Sequence, residues 1–213
     1  TGGEGGMLTT DNPAIWERAW SYKDHGKSRH AVYQQDHSTV FKWLHESIGT
    51  NWRMTEMQAA IGRISLRRLP DWIAARRRNA AVLDERLGRL PAIRLAVPPT
   101  DIGHAYYKYY AFLRPQSLRP GWSRDRIVRA VQAEGVPCFS GICPAIFQET
   151  AFDRPPFRPK RPLPVAETLG QTSLMFPVHP TLTASDMSDI CRAVEKVLNV
   201  AADERAGGRT RAA

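Results

Sequence analysis

The spacing of apolar residues divides the chain into two textures that meet near residue 90. In the first, helical spacing dominates. Asp11-Asn12-Pro13 supplies a capping side chain followed by proline at the first helical position, which predicts a helix from about residue 13 to residue 26 after a short strand at residues 7–10. Thr55-Glu56-Met57-Gln58 has the form of a capping box, in which the Thr55 hydroxyl and the Gln58 side chain each meet a backbone donor that the first helical turn leaves unpaired. Met57, Ile61 and Ile64 then recur at intervals of four and three, and Leu66, Leu69 and Ile73 carry apolar positions further round the turn. Pro70 is expected to kink or split this helix, whose second half ends before Pro91.

Beyond residue 90, strand and helix patterns alternate at shorter intervals. Residues 106–113 are aromatic-rich and strand-like. Ser123 caps a helix containing Ile127, Val128 and Val131, and Gly135 stops it before a short strand at residues 136–139. Five prolines between Phe152 and Pro164 exclude a regular helix or a central strand there. Residues 173–178 read as a buried strand, and Thr183 opens a final helix with Met187, Ile190, Cys191, Val194, Val197 and Leu198 on one face. A frayed tail is expected after Val200. Residues 91–200 thus read as a compact α+β unit, whereas the strand and helices before residue 90 lack a sheet to pack on.

The composition narrows the class without naming a function. At 42% hydrophobic and 24% charged, the 213 residues match an ordinary globular protein rather than a disordered or fibrous one. No apolar run approaches 18 residues and no signal peptide opens the chain, so the expected setting is cytoplasmic. The chain begins at Thr1 in a glycine-dense segment, and it is expected to be part of something longer. Cys138, Cys143 and Cys191 fit neither a zinc pair nor a disulfide framework and are read as reduced thiols. The net charge of +9 comes largely from arginines, many of them at residues 63–78, which read as a solvated helix face in preference to a nucleic-acid site.

Few residue patterns point to chemistry by themselves. The glycine-rich opening has no Gly-Lys-Ser/Thr and no dinucleotide spacing, so it reads as a turn where backbone passes close to another element. His30, His37 and His45 are seven and eight residues apart, unsuited to one helical face, and are read as loop histidines with no metal site. Cys143 is a nucleophile only in principle and is read as a packing residue. His179 ends a buried strand, either as a working residue or as a histidine bonded to backbone. Asn51-Trp52-Arg53-Met54 stands just ahead of a helix N-terminus, where an amide and a guanidinium suit an anion, or else simply tether the preceding loop.

Four blocks together resemble the DegT/DnrJ/EryC1/StrS sugar aminotransferases, pyridoxal-phosphate enzymes of the aspartate-aminotransferase fold. They are residues 1–10 (TGGEGGMLTT), Asp24-His25-Gly26, residues 49–69 (GTNWRMTEMQAAIGRISLRRL) and residues 163–183 (LPVAETLGQTSLMFPVHPTLT). The resemblance implies an α/β, type I fold: residues 1–52 as the end of the large cofactor-binding domain, residues 53–90 as a connecting helix, residues 91–200 as the small α+β domain and residues 201–213 as a disordered tail. It implies that Asn51 reaches the cofactor phosphate across a homodimer interface, that Arg53 assists with that phosphate or with the sugar nucleotide, and that His25 and His179 face substrate. The family's small-domain turn, commonly Tyr-x-Pro-Leu-His, is here Gly141-Ile142-Cys143-Pro144-Ala145, without its tyrosine and histidine.

In the family the Schiff-base lysine lies a few residues before the glycine-rich block. None of the six lysines here, at positions 23, 27, 42, 108, 160 and 196, stands at that place. The expectation is therefore the C-terminal part of an enzyme that moves an amino group from glutamate to a nucleotide-linked keto sugar, inactive alone. The competing reading is a non-catalytic, aminotransferase-derived binding or regulatory module. A third, nucleic-acid binding through residues 63–78, rests on charge alone.

Overall fold

A computed structural model describes residues 2–34, 44–141, 145–153 and 158–203. Cys143, His37, Lys42, most of the 141–145 turn, two of the clustered prolines and the tail beyond residue 203 lie outside the described residues. The chain divides into two compact units, Thr1–Leu69 and Pro70–Ala213.

In the first unit, helix α1 (Pro13–Lys23) starts where its cap dictates: the Asn12 carboxamide oxygen accepts from the backbone N–H groups of Ala14 and Ile15, at 3.0 and 3.3 Å. It stops at Lys23, three residues short of the predicted end, because the chain turns sharply at Asp24-His25-Gly26. Helix α2 (Arg29–Gln34) follows, so His30 sits on a short helix rather than in a loop. Residues 7–10 form no strand, since none of the described residues pairs alongside them to complete a ladder. Instead the glycine-rich segment passes close to helix α3 (Glu56–Leu87), and the Gln58 amide nitrogen donates to the Glu4 carbonyl at 2.9 Å. The capping box forms as read: Thr55 N–H donates to Gln58 Oε1 at 3.2 Å, and Gln58 N–H to Thr55 Oγ1 at 3.3 Å.

Helix α3 is not split at Pro70. A proline removes one donor from the ladder, and the turns on either side keep their own. The boundary between the compact units nevertheless falls at this residue.

The first unit has little core. Among the described residues its buried apolar side chains are Ala31 and Leu44, and α1 buries none of its eleven residues. Met57, Ile61, Ile64, Leu66 and Leu69 stay exposed on α3.

The second unit has a closed core. Three antiparallel strands, β1 (Ile93–Leu95), β2 (Tyr109–Leu113) and β3 (Ser173–Phe176), lie in that order, with Ile93 opposite Leu113 and Tyr109 opposite Phe176. Alternate residues of β2 point inward, and all four of β3 are buried. The predicted strand at residues 136–139 is reduced to one bridge, in which Phe139 and Met175 exchange backbone bonds at 3.0 and 2.7 Å. At the opposite margin, Ile93 N–H donates to the Leu90 carbonyl at 2.9 Å, the Arg114 guanidinium donates to the Ile93 carbonyl, and the Arg94 guanidinium stacks over Phe112.

Helix α4 (Arg124–Ala133) is capped by Ser123 and closed by Gly135 at φ 82°, as its sequence requires. Helix α5 (Pro164–Thr172) has no counterpart in the sequence reading, although Pro164 occupies the favoured first position. Helix α6 (Ala184–Ala201) opens with the reciprocal Thr183–Asp186 box and buries eight residues, Met187 to Ala201. Beyond Val200 the chain is still engaged, since Asp203 N–H donates to the Ser117 carbonyl. Leu83 and Leu87 of α3 complete this core with Ile127, Val131 and Phe176.

Polar groups at its margin are paired. Arg86 makes a two-pronged bond to Glu195 at 2.9 and 2.5 Å, and Tyr109 donates to Asp84 at 2.7 Å. Burial, then the Asp84 bond, pushes the Tyr109 phenol well above its ordinary range. Cys138 and Cys191 are free and buried, and burial pushes the Cys138 thiol up to about 12. Both are packing residues without thiolate chemistry at neutral pH.

Phe176 is fully buried at the centre of this unit. Phe176→Ala is expected to cost about 3–5 kcal/mol through lost burial and a residual cavity. Urea unfolding followed by circular dichroism will read it, and a cost below about 1 kcal/mol would contradict this placement of the core.

Candidate functional site

In the first unit the chain turns back on itself after α1, and the turn is locked by a second segment lying across it. Tyr22 and Lys23 carbonyls accept from the N–H groups of Thr50 and Trp52, at 2.7 and 2.9 Å, and His25 N–H donates to the Thr50 carbonyl at 3.0 Å. Asp24 thereby stands opposite Asn51 in an antiparallel bridge. Residues 27 positions apart become neighbours, and the Asn51-Trp52-Arg53 motif is brought against Asp24-His25-Gly26.

Only glycine fits at the crossing. A Cβ on Gly26 would lie 1.7 Å from the Ser47 carbonyl oxygen, and one on Gly49 would lie 2.2 Å from the Gly26 nitrogen. His25 itself adopts φ 61°, a conformation that side chains other than glycine enter at a cost of order 1 kcal/mol. The bonds from His25 N–H to Thr50 and from Gly26 N–H to Ser21 hold it there.

The side chains form a charged cluster on this frame. Arg53 Nε donates to Asn51 Oδ1 at 3.2 Å, and its Nη2 lies 3.4 Å from His25 Nε2. Its Nη1 lies 3.6 Å from Asp24 Oδ1, which Lys27 Nζ approaches at 3.3 Å. Burial alone would raise the Asp24 carboxyl, but Lys27, Arg53 and Lys23 outweigh it and hold it below the usual carboxylate range. One carboxylate thus faces three cations, and the excess charge is positive.

Asn51, Arg53 and His25 are all exposed, on the approach to the α3 N-terminus, while Asp24 is buried beneath them. Trp52 is exposed as well and meets Tyr22 edge to face at 5.3 Å. The donor set of amide, guanidinium and imidazole, carrying net positive charge beside a helix start, fits a phosphate. A groove of about 800 Å³ along α1 and α2 shares Lys27 with this cluster but not Asn51, Arg53 or His25.

His179 belongs to the second unit, where its Nδ1 pairs with Thr181 Oγ1 at 2.8 Å and its carbonyl accepts from Asn79. Sequence reading missed the parts played by Asp24, Lys27 and Gly49. Asp24 and Gly49 stood within the quoted blocks, but nothing in a linear sequence shows a carboxylate meeting a guanidinium 29 positions away. Among the described residues no group of three or more His, Cys, Asp or Glu side chains is arranged to hold a metal ion, and no helix is long and apolar enough to cross a membrane.

Comparison with known proteins follows the same blocks. Residues 1–195 match the model of the DegT/DnrJ/EryC1/StrS aminotransferase family. The chain is 27% identical over 207 residues to dTDP-4-dehydro-2,3,6-trideoxy-D-glucose 4-aminotransferase of Saccharopolyspora spinosa, covering 92% of this chain and 49% of that one. An aminotransferase from Psychrobacter cryohalolentis superimposes with a TM-score of 0.81 at 46% identity, over 90% of this chain and 50% of the other. The Escherichia coli GDP-4-keto-6-deoxy-D-mannose-3-dehydratase, solved with bound hydrated PLP, shares the fold at 19% identity and a TM-score of 0.69, over 87% and 49% of the two chains. The fold is thus the α/β type I aminotransferase fold, and the chain spans about half the length of the curated relatives it matches.

Two outcomes are expected from the geometry. Gly26→Ala should abolish the crossing, because no rotamer change relieves a clash with backbone, and circular dichroism with limited proteolysis will show early cleavage between residues 23 and 52 while the second unit stays resistant. The depressed Asp24 carboxyl contributes stability above its ordinary value of 3.8 and loses it as pH falls through the folded value. Denaturation of the first unit should therefore ease in acid, by a smaller margin in Asp24→Asn. An identical pH profile for both proteins would refute the ion cluster.

Proposed function

The chain belongs to the DegT/DnrJ/EryC1/StrS aminotransferase family, and from that premise we propose that it is the C-terminal portion of a pyridoxal-phosphate-dependent sugar aminotransferase. The amino group would pass from glutamate to a nucleotide-linked keto sugar, in the cytoplasm. The observation that carries this reading is the meeting of Asn51, Arg53 and His25 on one exposed, positively charged face, above a buried carboxylate.

In this proposal residues 1–52 close the large domain, residues 53–90 connect, residues 91–200 form the small domain and residues 201–213 are its tail. Asn51 donates its amide N–H to the cofactor phosphate of the opposite subunit in a homodimer, and Arg53 adds charge to the same anion. His25 stands beside them with its ring open to solvent, placed to meet a polar group of the substrate, and His179 is the substrate residue of the second unit. When bound, the cofactor supplies the electron sink that makes amino transfer feasible. The residues of this chain bind and orient. The proton-moving lysine is not among its six lysines, so the chain alone is inactive.

The test uses the chain with stoichiometric pyridoxal 5'-phosphate, followed by borohydride reduction and peptide mass spectrometry. No lysine is expected to acquire a pyridoxyl group in significant yield. Intrinsic tryptophan fluorescence should still report the cofactor, with affinity about tenfold weaker in Asn51→Ala, the loss of one charge-assisted bond. A single lysine modified in high yield would overturn the claim that the cofactor-bearing residue lies elsewhere. Equal affinities for the two proteins would remove Asn51 from the phosphate site.

A further inference from the structure

Asp24 is the one acidic member of the cluster, and it is buried where Asn51, Arg53 and His25 are exposed. A carboxylate beneath an anion-binding face opposes the ligand by charge, so its presence calls for an account. The geometry supplies one through Arg53, whose guanidinium has only donors. Its Nε bond to Asn51 Oδ1 turns the oxygen end of that amide inward and leaves Nδ2 as the end offered to a ligand. Its Nη2 approaches His25 Nε2, so that nitrogen accepts and the ring proton is placed on Nδ1. One guanidinium therefore decides which end of Asn51 and which nitrogen of His25 can donate.

Arg53 is half exposed and would sample many rotamers without an anchor. Among the described residues, Asp24 is the carboxylate that anchors it, by the 3.6 Å approach of Nη1. Asp24 is itself fixed by Lys27 at 3.3 Å and by the backbone bridge to Asn51. Lys23 and Lys27 also face it and offset its charge, which lets a carboxylate sit here without repelling the anion above.

We propose that Asp24 is the positioning residue of this site: by clamping Arg53 it sets the Asn51 amide and the His25 tautomer as a matched pair of hydrogen-bond donors for a phosphate. The inference rests on the phosphate-binding reading for what the donors serve, but the clamp itself exists without ligand and is tested without it.

The experiment compares wild type with Asp24→Asn, Asp24→Glu and Arg53→Gln, each checked for folding by circular dichroism. Imidazole ¹⁵N spectra of the ligand-free chain are expected to show His25 as the Nδ1–H tautomer in wild type and a mixture in Asp24→Asn and Arg53→Gln, with partial return in Asp24→Glu. A His25 tautomer unchanged in folded Asp24→Asn overturns the proposal. Titration with pyridoxal 5'-phosphate, read by intrinsic tryptophan fluorescence, should then show about tenfold weaker binding in Asp24→Asn although the substitution removes a negative charge. Tighter binding there would also overturn it, since charge alone would then govern the site. If the wild-type chain gives no cofactor signal, the phosphate-binding reading fails, and the tautomer comparison still decides the clamp.

Discussion

The backbone crossing at Gly26 and Gly49 is the constraint on which the first unit depends. With so few buried side chains among its described residues, that part of the chain does not rest on the burial that stabilises ordinary domains. It is held by main-chain bonds between residues 22–28 and residues 44–52, and these require an approach that a single methyl group would prevent. The left-handed His25, the bridge between Asp24 and Asn51, and the exposed Arg53 follow from that approach. The site is therefore set by backbone geometry first and by side-chain chemistry second.

The second unit works in the opposite way. Its three-stranded sheet is small, but α4, α6 and the last turns of α3 bring enough apolar surface to close a core around Phe176 and Leu83. Its ion pairs, such as Arg86 with Glu195, lie at the margin of that core and contribute modestly. Two units of such different construction should respond differently to solvent. Salt and acid act on the charges of the first, while denaturant acts on the apolar area of the second.

Local signals in the sequence were the most readable part of the fold. Asn12, Thr55, Ser123 and Thr183 each cap the helix that their neighbours announced, because a cap needs partners only two or three residues away. Features that depend on distant partners were not readable. Residues 7–10 have strand composition but no pairing neighbour among the described residues, whereas β1 is only three residues long and exists because β2 lies beside it. Helix α5 follows a run of prolines that masked its start. In the candidate site, Asn51 and Arg53 stood out as residue types beside a helix start and His25 only through a family block, while the contact of Asp24 with Arg53 was not readable, since it arises from the fold.

The margins of the small sheet carry one more consequence. At β1 the outward backbone groups of Ile93 are already occupied, its N–H by Leu90 and its carbonyl by Arg114, and the bulky Arg94 lies over Phe112. At β3 the Met175 groups are taken by Phe139. Those Ile93 and Met175 groups are therefore not offered to a strand from another molecule, which makes the sheet a poorer template for the edge-to-edge growth that leads to fibrils.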